Sequence, residues 1–312
     1  MGNPLDAQTF HGGKAMSLII NHNMMAMNAS RNLSNSYGAL ATSTSRLSSG
    51  LRITTAADDA AGLAIRELMR SDIASINQGV RNANDAISMI QTADGALQVI
   101  DEKLIRMKEL AEQASTGTYT SDQRLIIDSE YQAMASEITR IANATDFNGI
   151  YLLNGNLSGS THSGEGINST GKLKVHFGSG NESSEDYYYV QIGTSTASAF
   201  GLGVGASSTA SGRSISTQGL AQRALDAIKD AIVSKDKIRA NLGALQNRLE
   251  NTISNLQIQG ENLQAAESQI SDVDVATEMT EFVRQQILTQ SAIAMLSQAN
   301  SLPKMAMQLI GG

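Results

Sequence analysis

Apolar residues recur with a seven-residue period toward both ends of this chain and hardly at all in its middle. Leu242, Leu249, Leu256, Leu263 and Ile270 fall on one such stripe. After a break the beat resumes at Leu288, Met295, Leu302 and Leu309, with Ala292, Ala299 and Ala306 between them. Near the other end Leu33, Leu40 and Leu47 keep the same period, and Tyr37 and Leu51 lie on the same stripe. A stripe with this period is a seam that requires another helix, in the same chain or in a neighbouring one.

Between the stripes the pattern predicts further helices. Residues 58–70 open one with Asp58 and Asp59 in its first turn, favourable against the helix dipole. Ile73, Ile76, Val80, Ala83, Ile87 and Ile90 continue it, the frame slips near Asp94, and Leu97, Ile100, Leu104, Met107 and Ala111 carry it toward Gly117. Thr120 and Gln123 form a capping box for the next helix, whose apolar face is read as Leu125, Ile126, Met134, Ile138 and Ile141. Asn148-Gly149, set between Phe147 and Ile150, predicts a tight hairpin.

Residues 154–217 differ in kind. They are rich in Gly, Ser, Thr and Asn, with alternating runs at 173–177 and 187–192 that predict a small β unit. The competing reading is a disordered linker. Helical periodicity returns near Ile215 and runs to about Ser271. Asp272 or Asp274 then caps a last helix, which Pro303 is expected to bend.

Composition changes this picture in three ways. Trp is absent, aromatics are 4% of the chain and Pro occurs twice, which suits long helices with narrow seams better than a large core. Cys is absent, so neither disulfides nor thiolate metal sites are available. The net charge is −7, yet residues 16–57 contain no acid, and neither do residues 282–312. Those ends carry too few Lys and Arg for nucleic acid, and a charge-poor helix suits surroundings of protein. No apolar run is long enough to cross a bilayer, and the short 17–20 run is no secretory signal. Residues 1–15 break every later pattern and read as a leader or upstream extension, with Met16 as the natural start.

An isolated helix gains little net stability in water. Burying Leu288, Met295, Leu302 and Leu309 together would contribute roughly 6–12 kcal/mol, an upper figure because it assumes an extended unfolded chain. The terminal stripes are natural partners for each other. Met24, Met25, Met27, Ile287, Ile293, Leu296 and Met305 fall off them and leave apolar surface for other subunits. A contact of that kind that does not close on itself gives an open helical filament. The free subunit is then expected to have frayed termini that order on assembly.

Three segments carry a family likeness: RLSSGLRITTAADDAAGLAI at 46–65, QTADGAL at 91–97, and the run from 267 to 312 beginning ESQISDVDVATEMTEFVRQQILTQ. All three resemble the signature segments of bacterial flagellin, and the likeness covers 16–153 and 215–312. The resemblance implies a mainly α fold: a long antiparallel coiled coil of the N- and C-terminal segments, a β-hairpin, and a small β-containing insert. On this reading 16–57 with 272–312 form the inner tube of a filament and 58–153 with 218–271 its outer tube. Residues 154–217 are then a variable surface region. Leu33, Tyr37, Leu40, Leu47, Leu288, Ala292, Met295, Ala299, Leu302 and Leu309 would pack the inner tube. Leu97, Leu104, Leu242, Leu249, Leu256, Leu263 and Ile270 would pack the outer one.

The same resemblance implies partners. These are other flagellin subunits in a homopolymer, an export chaperone on the C-terminal segment, the filament cap, hook-junction proteins and, in hosts, the flagellin-sensing Toll-like receptor. Export would be unfolded, through the flagellar type III apparatus, with assembly at the distal tip outside the cell. Arg106 and Leu110, in LIRMKELAEQ at 104–113, match the family's Arg-x-x-x-Leu receptor pair, and Glu130 is the third residue. Taken alone, an Arg/Leu pair four apart on a helix is ordinary.

Other functions find less support. His11, His22, His162 and His176 form no metal-ligand spacing, and the glycines of 178–205 make no phosphate loop running into a helix with Lys. No cofactor and no catalytic residue is expected. The rival readings are a hook–filament junction protein and a secreted coiled-coil adhesin or effector. The sequons at Asn156, Asn168 and Asn181 read as incidental, while the Ser/Thr-rich middle region leaves O-glycosylation open.

Overall fold

The computed structural model describes residues 22–161, 171–182, 185–203 and 212–310. The expected leader at 1–15 and the sequon at Asn168 lie outside them, as do the side chains of Leu302, Ala306 and Leu309. The elements in order are α1 (Met24–Ser49), α2 (Ala60–Ser115), α3 (Ser121–Ala144), β1 (Asp146–Phe147), β2 (Ile150–Tyr151), β3 (Leu173–His176), β4 (Tyr187–Val190), α4 (Gln218–Ser271) and α5 (Val275–Ile310). The chain is mainly α, with its two ends paired antiparallel and two small hairpins, as the sequence implied. It divides into two compact units, Met1–Glu67 with Ala266–Gly312, and Leu68–Ala265.

In the first unit α1 packs along α5. The direction is fixed at both ends. Asn23 Nδ2 donates to the carbonyl of Ala299 (2.8 Å), and Arg46 Nη1 lies 3.7 Å from Glu278 Oε2. Local chemistry sets the helix limits. The Asn23 side chain accepts from Ala26 N–H, and Gly50, in the left-handed region at φ 73°, donates back to Arg46. Asp274 caps α5, accepting from Ala276 and Thr277. Its neighbour Asp272 instead forms an isolated antiparallel bridge with Leu51.

The segment joining α1 to α2 departs from expectation. Neither acid lies in the first turn of α2. Asp59 is the cap, accepting from Ala61 and Gly62 N–H. Asp58 organises the preceding loop, accepting from the backbone and hydroxyl groups of both Thr54 and Thr55. Side-chain oxygens of Asp satisfy turn and cap donors at lower cost than a helical conformation would, so both residues are drawn out of the helix.

In the second unit α2, α3 and α4 share one hydrophobic core with the hairpins. Along α2 one buried row is Ala83, Ala86, Ile90, Ala93, Leu97, Ile100, Leu104, Met107, Ala111 and Ala114, with Met89 and Leu110 buried beside it. The spacing of that row alternates between three and four throughout, so the expected slip near Asp94 does not occur. Small Ala93 holds the frame where no large apolar residue marked it. On α3 the buried face is Ile127, Tyr131, Ala135, Ile138 and Ala142, whereas Leu125 and Ile126 are exposed. The capping box is present with both of its hydrogen bonds, and it sets the helix phase that turns Leu125 and Ile126 outward.

Asn148 and Gly149 both take positive φ between β1 and β2, as a two-residue hairpin turn requires. β3 pairs with β4 in the register Leu173↔Val190, Lys174↔Tyr189, Val175↔Tyr188 and His176↔Tyr187. A Cβ at Gly79 of α2 would fall 2.0 Å from the carbonyl oxygen of Phe177. Only glycine admits the hairpin end this close to the helix.

Candidate assembly surface

The α1–α5 seam interleaves small side chains with half-buried large ones. On α1 the residues turned inward are Ala26, Ala29, Leu33, Ser36, Leu40, Ser43 and Leu47, three and four apart. On α5 they are Phe282, Gln285, Thr289, Ala292, Leu296 and Ala299 with the same alternation. Leu33, Leu40, Leu47, Ala292 and Ala299 thus lie where the heptads put them. Tyr37, Leu288 and Met295 do not: they are 51%, 46% and 59% exposed. Leu296, expected off the stripe, is on it. The large residues Leu288 and Met295 flank the seam one position away, and Thr289 and Leu296 occupy it. The signal that finds Ser36, Ser43 and Thr289 is spacing rather than hydrophobicity, because each lies three or four residues from an apolar seam position.

This seam holds little hydrophobic stabilisation of its own. Among the described residues of α1 and α5, only Ser43, Thr289 and Ala299 are fully buried. Met24, Met25 and Met27 of α1 stand exposed, as do Val275, Met279, Val283, Ile287, Ile293, Met305 and Met307 of α5. A groove of about 560 Å³ runs between the helices, lined by the apolar Met25, Leu288 and Met295 and by the polar Asn28, Asn32 and Asn35. Contiguous apolar surface of this kind marks a contact site for other protein. No helix among the described residues is long and apolar enough to cross a membrane.

The outer-tube candidates divide by depth. Leu97, Leu104, Leu242, Leu249 and Leu256 are buried. Leu263 packs half-buried against the small cluster of Ile76, Phe177 and Leu256, and Ile270 is half-buried. Two charged contacts tie α2 to α4 in antiparallel order. Lys235 Nζ lies 2.5 Å from Asp101 Oδ1, and Arg239 Nε lies 2.7 Å from Asp94 Oδ1. Sequence periodicity missed both, since Lys235 interrupts the stripe of Leu242 and Leu249 and Arg239 lies off it.

The structure brings together two of the three residues expected for receptor contact. Arg106 donates through Nε (3.0 Å) and Nη2 (2.8 Å) to one oxygen of Glu130 and through Nη1 to Glu109 (2.9 Å). These bonds raise the Arg106 pKa further, with Glu130 the main cause. Leu110 lies beneath them in the core, 1% exposed, so it supports the surface without forming part of it.

Residues 20–158 match the bacterial flagellin N-terminal helical region, and residues 225–310 match the bacterial flagellin C-terminal helical region. The chain is 42% identical over 293 residues to a flagellin of Halalkalibacterium halodurans, covering 94% of this chain and 100% of that one. It is 42% identical over 294 residues to the flagellar filament 33 kDa core protein of Treponema phagedenis, with the same coverage. A putative flagellar hook-associated protein from Vibrio parahaemolyticus shares the fold. Its TM-score is 0.52 at 14% identity, covering 69% of this chain and 100% of that structure.

Proposed function

The chain belongs to the bacterial flagellin family, and from that premise we propose that its terminal helices pack the inner tube of an extracellular flagellar filament. Flagellins are structural subunits that polymerise with one another, and they are not enzymes. The observation that carries the proposal is the α1–α5 pair. Its seam buries almost no large side chain, while Met25, Leu288 and Met295 line a groove on its outside. Each such residue is about half exposed, so covering it by a neighbouring subunit contributes about 1 kcal/mol. A contact repeated along an open helix accumulates that gain in every subunit.

The finer assignments follow the resemblance. Residues 16–57 with 272–312 form the inner tube, 58–153 with 218–271 the outer tube, and 154–217 the outward surface. Export is unfolded through the flagellar type III apparatus. A chaperone holds the C-terminal segment, and the filament cap and hook-junction proteins are its assembly partners. Arg106 and Glu130 form the surface read by the flagellin-sensing Toll-like receptor, with Leu110 holding the helix beneath them.

Seeded growth tests the central part. Full-length chain added to fragmented filaments should lengthen them without limit, as seen by electron microscopy. Met25→Lys combined with Met295→Lys should leave the helical content of the free chain unchanged and raise the concentration needed for growth at least tenfold. A soluble oligomer of fixed size would indicate the adhesin reading, and failure to extend seeds would indicate a junction protein; either overturns the proposal.

A further inference from the structure

The chain has no Cys, so thioethers are its only sulfur, and they are unevenly placed. On α2 and α3 the methionines sit inward. Met89 and Met107 are 2% and 0% exposed, and Met69 and Met134 are half-buried. On the terminal helices the order is reversed. Met24, Met25 and Met27 of α1 are exposed, and so are Met279, Met295, Met305 and Met307 of α5, each between 42% and 62%. No methionine of α1 or α5 among the described residues is buried.

Two of these sulfurs share one place. Met25 and Met295 line the groove between α1 and α5, with Leu288, Ala29 and Ala292 beside them. The hydrogen bond from Asn23 to Ala299 pins this end of the helix pair, so the two thioethers belong to a single surface. An unbranched, polarisable side chain suits a surface that repacks against other protein. It is also the apolar side chain that a mild oxidant turns polar.

We propose that Met25 and Met295 form a sulfoxidation site, at which a peroxide converts the free subunit into a form that does not join a filament. The proposal rests on reading this groove as a contact with neighbouring subunits. A lone pair of the thioether sulfur attacks one peroxide oxygen, the O–O bond breaks, an S–O bond forms and water leaves. The sulfur loses two electrons and the peroxide gains them. The sulfoxide is polar and chiral, which disrupts a contact built on methionine. Placing a neighbour over it desolvates a polar oxygen at every copy of the contact. In the filament the same sulfurs are covered, so assembly protects them. Met89 and Met107, buried in the same molecule, are the internal reference.

The test treats full-length monomer and preformed filament with dilute hydrogen peroxide and follows each methionine by peptide mass spectrometry. In the monomer Met25 and Met295 should oxidise about tenfold faster than Met89 and Met107, and in the filament about tenfold more slowly than in the monomer. Oxidised monomer of unchanged helical content should need about a tenfold higher concentration to extend fragmented filaments. Two methionine sulfoxide reductases, one for each epimer, should together restore growth. Met25→Leu with Met295→Leu, compared only with its own untreated growth, should lose most of the response to peroxide. Equal oxidation of groove and core sulfurs in the monomer, unaltered growth after oxidation of Met25 and Met295, or a double variant as sensitive as the parent overturns the proposal. Failure of the untreated chain to extend seeds overturns the filament reading and this proposal with it. Growth of the untreated chain that oxidation leaves unaltered overturns this proposal alone.

Discussion

Lys235 occupies a heptad position of α4 that its neighbours Ile228 and Leu242 fill with apolar side chains, and its ammonium lies 2.5 Å from the carboxylate of Asp101 on α2. Its side chain is only 2% exposed, and Asp236 gives a second contact at 2.8 Å. A buried charge of this kind fixes which residues of two helices face each other, and it costs desolvation to keep. Asp101→Ala should therefore destabilise the chain by about 1–3 kcal/mol in urea unfolding, because Lys235 would stay buried with Asp236 alone. Lys235→Met with Asp101→Leu should be neutral or stabilising. Substantial destabilisation by the double change would mean that the pair stabilises the fold as well as setting its register.

Asp58 ties the loop between α1 and α2 together. Its pKa lies below the ordinary carboxylate value, chiefly because Thr55 N–H donates to it, with Thr54 adding further bonds. Asp274 is lowered in the same way, first by the Thr277 hydroxyl. A depressed folded-state pKa contributes stability in full above the unfolded value of about 4, and that contribution is lost as pH falls through the lower folded value. The wild type should therefore exceed Asp58→Asn in thermal stability at pH 7, and the gap should close by about pH 2. A gap independent of pH would show that the carboxylate charge is not what the loop uses.

Arg106 and Glu130 are exposed and joined to each other, whereas Leu110 is core. Replacing Arg106 and Glu130 with Ala should lower activation of receptor-bearing cells by monomer while leaving unfolding nearly unchanged. Leu110→Ala should cost about 2–5 kcal/mol of stability through its cavity. Equal potency of the double variant and the wild type would remove this surface from recognition.

The parts legible in the sequence are those where one signal dominates. The Asn148-Gly149 turn, the capping box at Thr120, the buried leucines of α4 and the strands at 173–176 and 187–190 each rest on local chemistry or on large apolar side chains. The illegible parts share a different cause. At Ala93, Ser43 and Thr289 the packed residue is small, and at Lys235 it is charged, so hydrophobicity misplaces the seam although the spacing is intact. On α5 this moved the expected stripe by one position, from Thr289 and Leu296 to Leu288 and Met295. Apolar residues beside a seam of small ones are what a helix that also contacts other chains requires. The same ambiguity obscured the terminal helices.

Hydrogen exchange read by mass spectrometry, on dilute monomer and on assembled filament, tests the central claim most directly. Residues 24–49 and 275–310 bury few large side chains in the single chain, so their amides should exchange rapidly in the monomer. The core of α2 around Leu97 and Leu104 should stay protected under the same conditions. In filaments both terminal segments should become protected by several orders of magnitude. Terminal helices already protected like α2 in the free monomer, with no further change on assembly, would contradict the account.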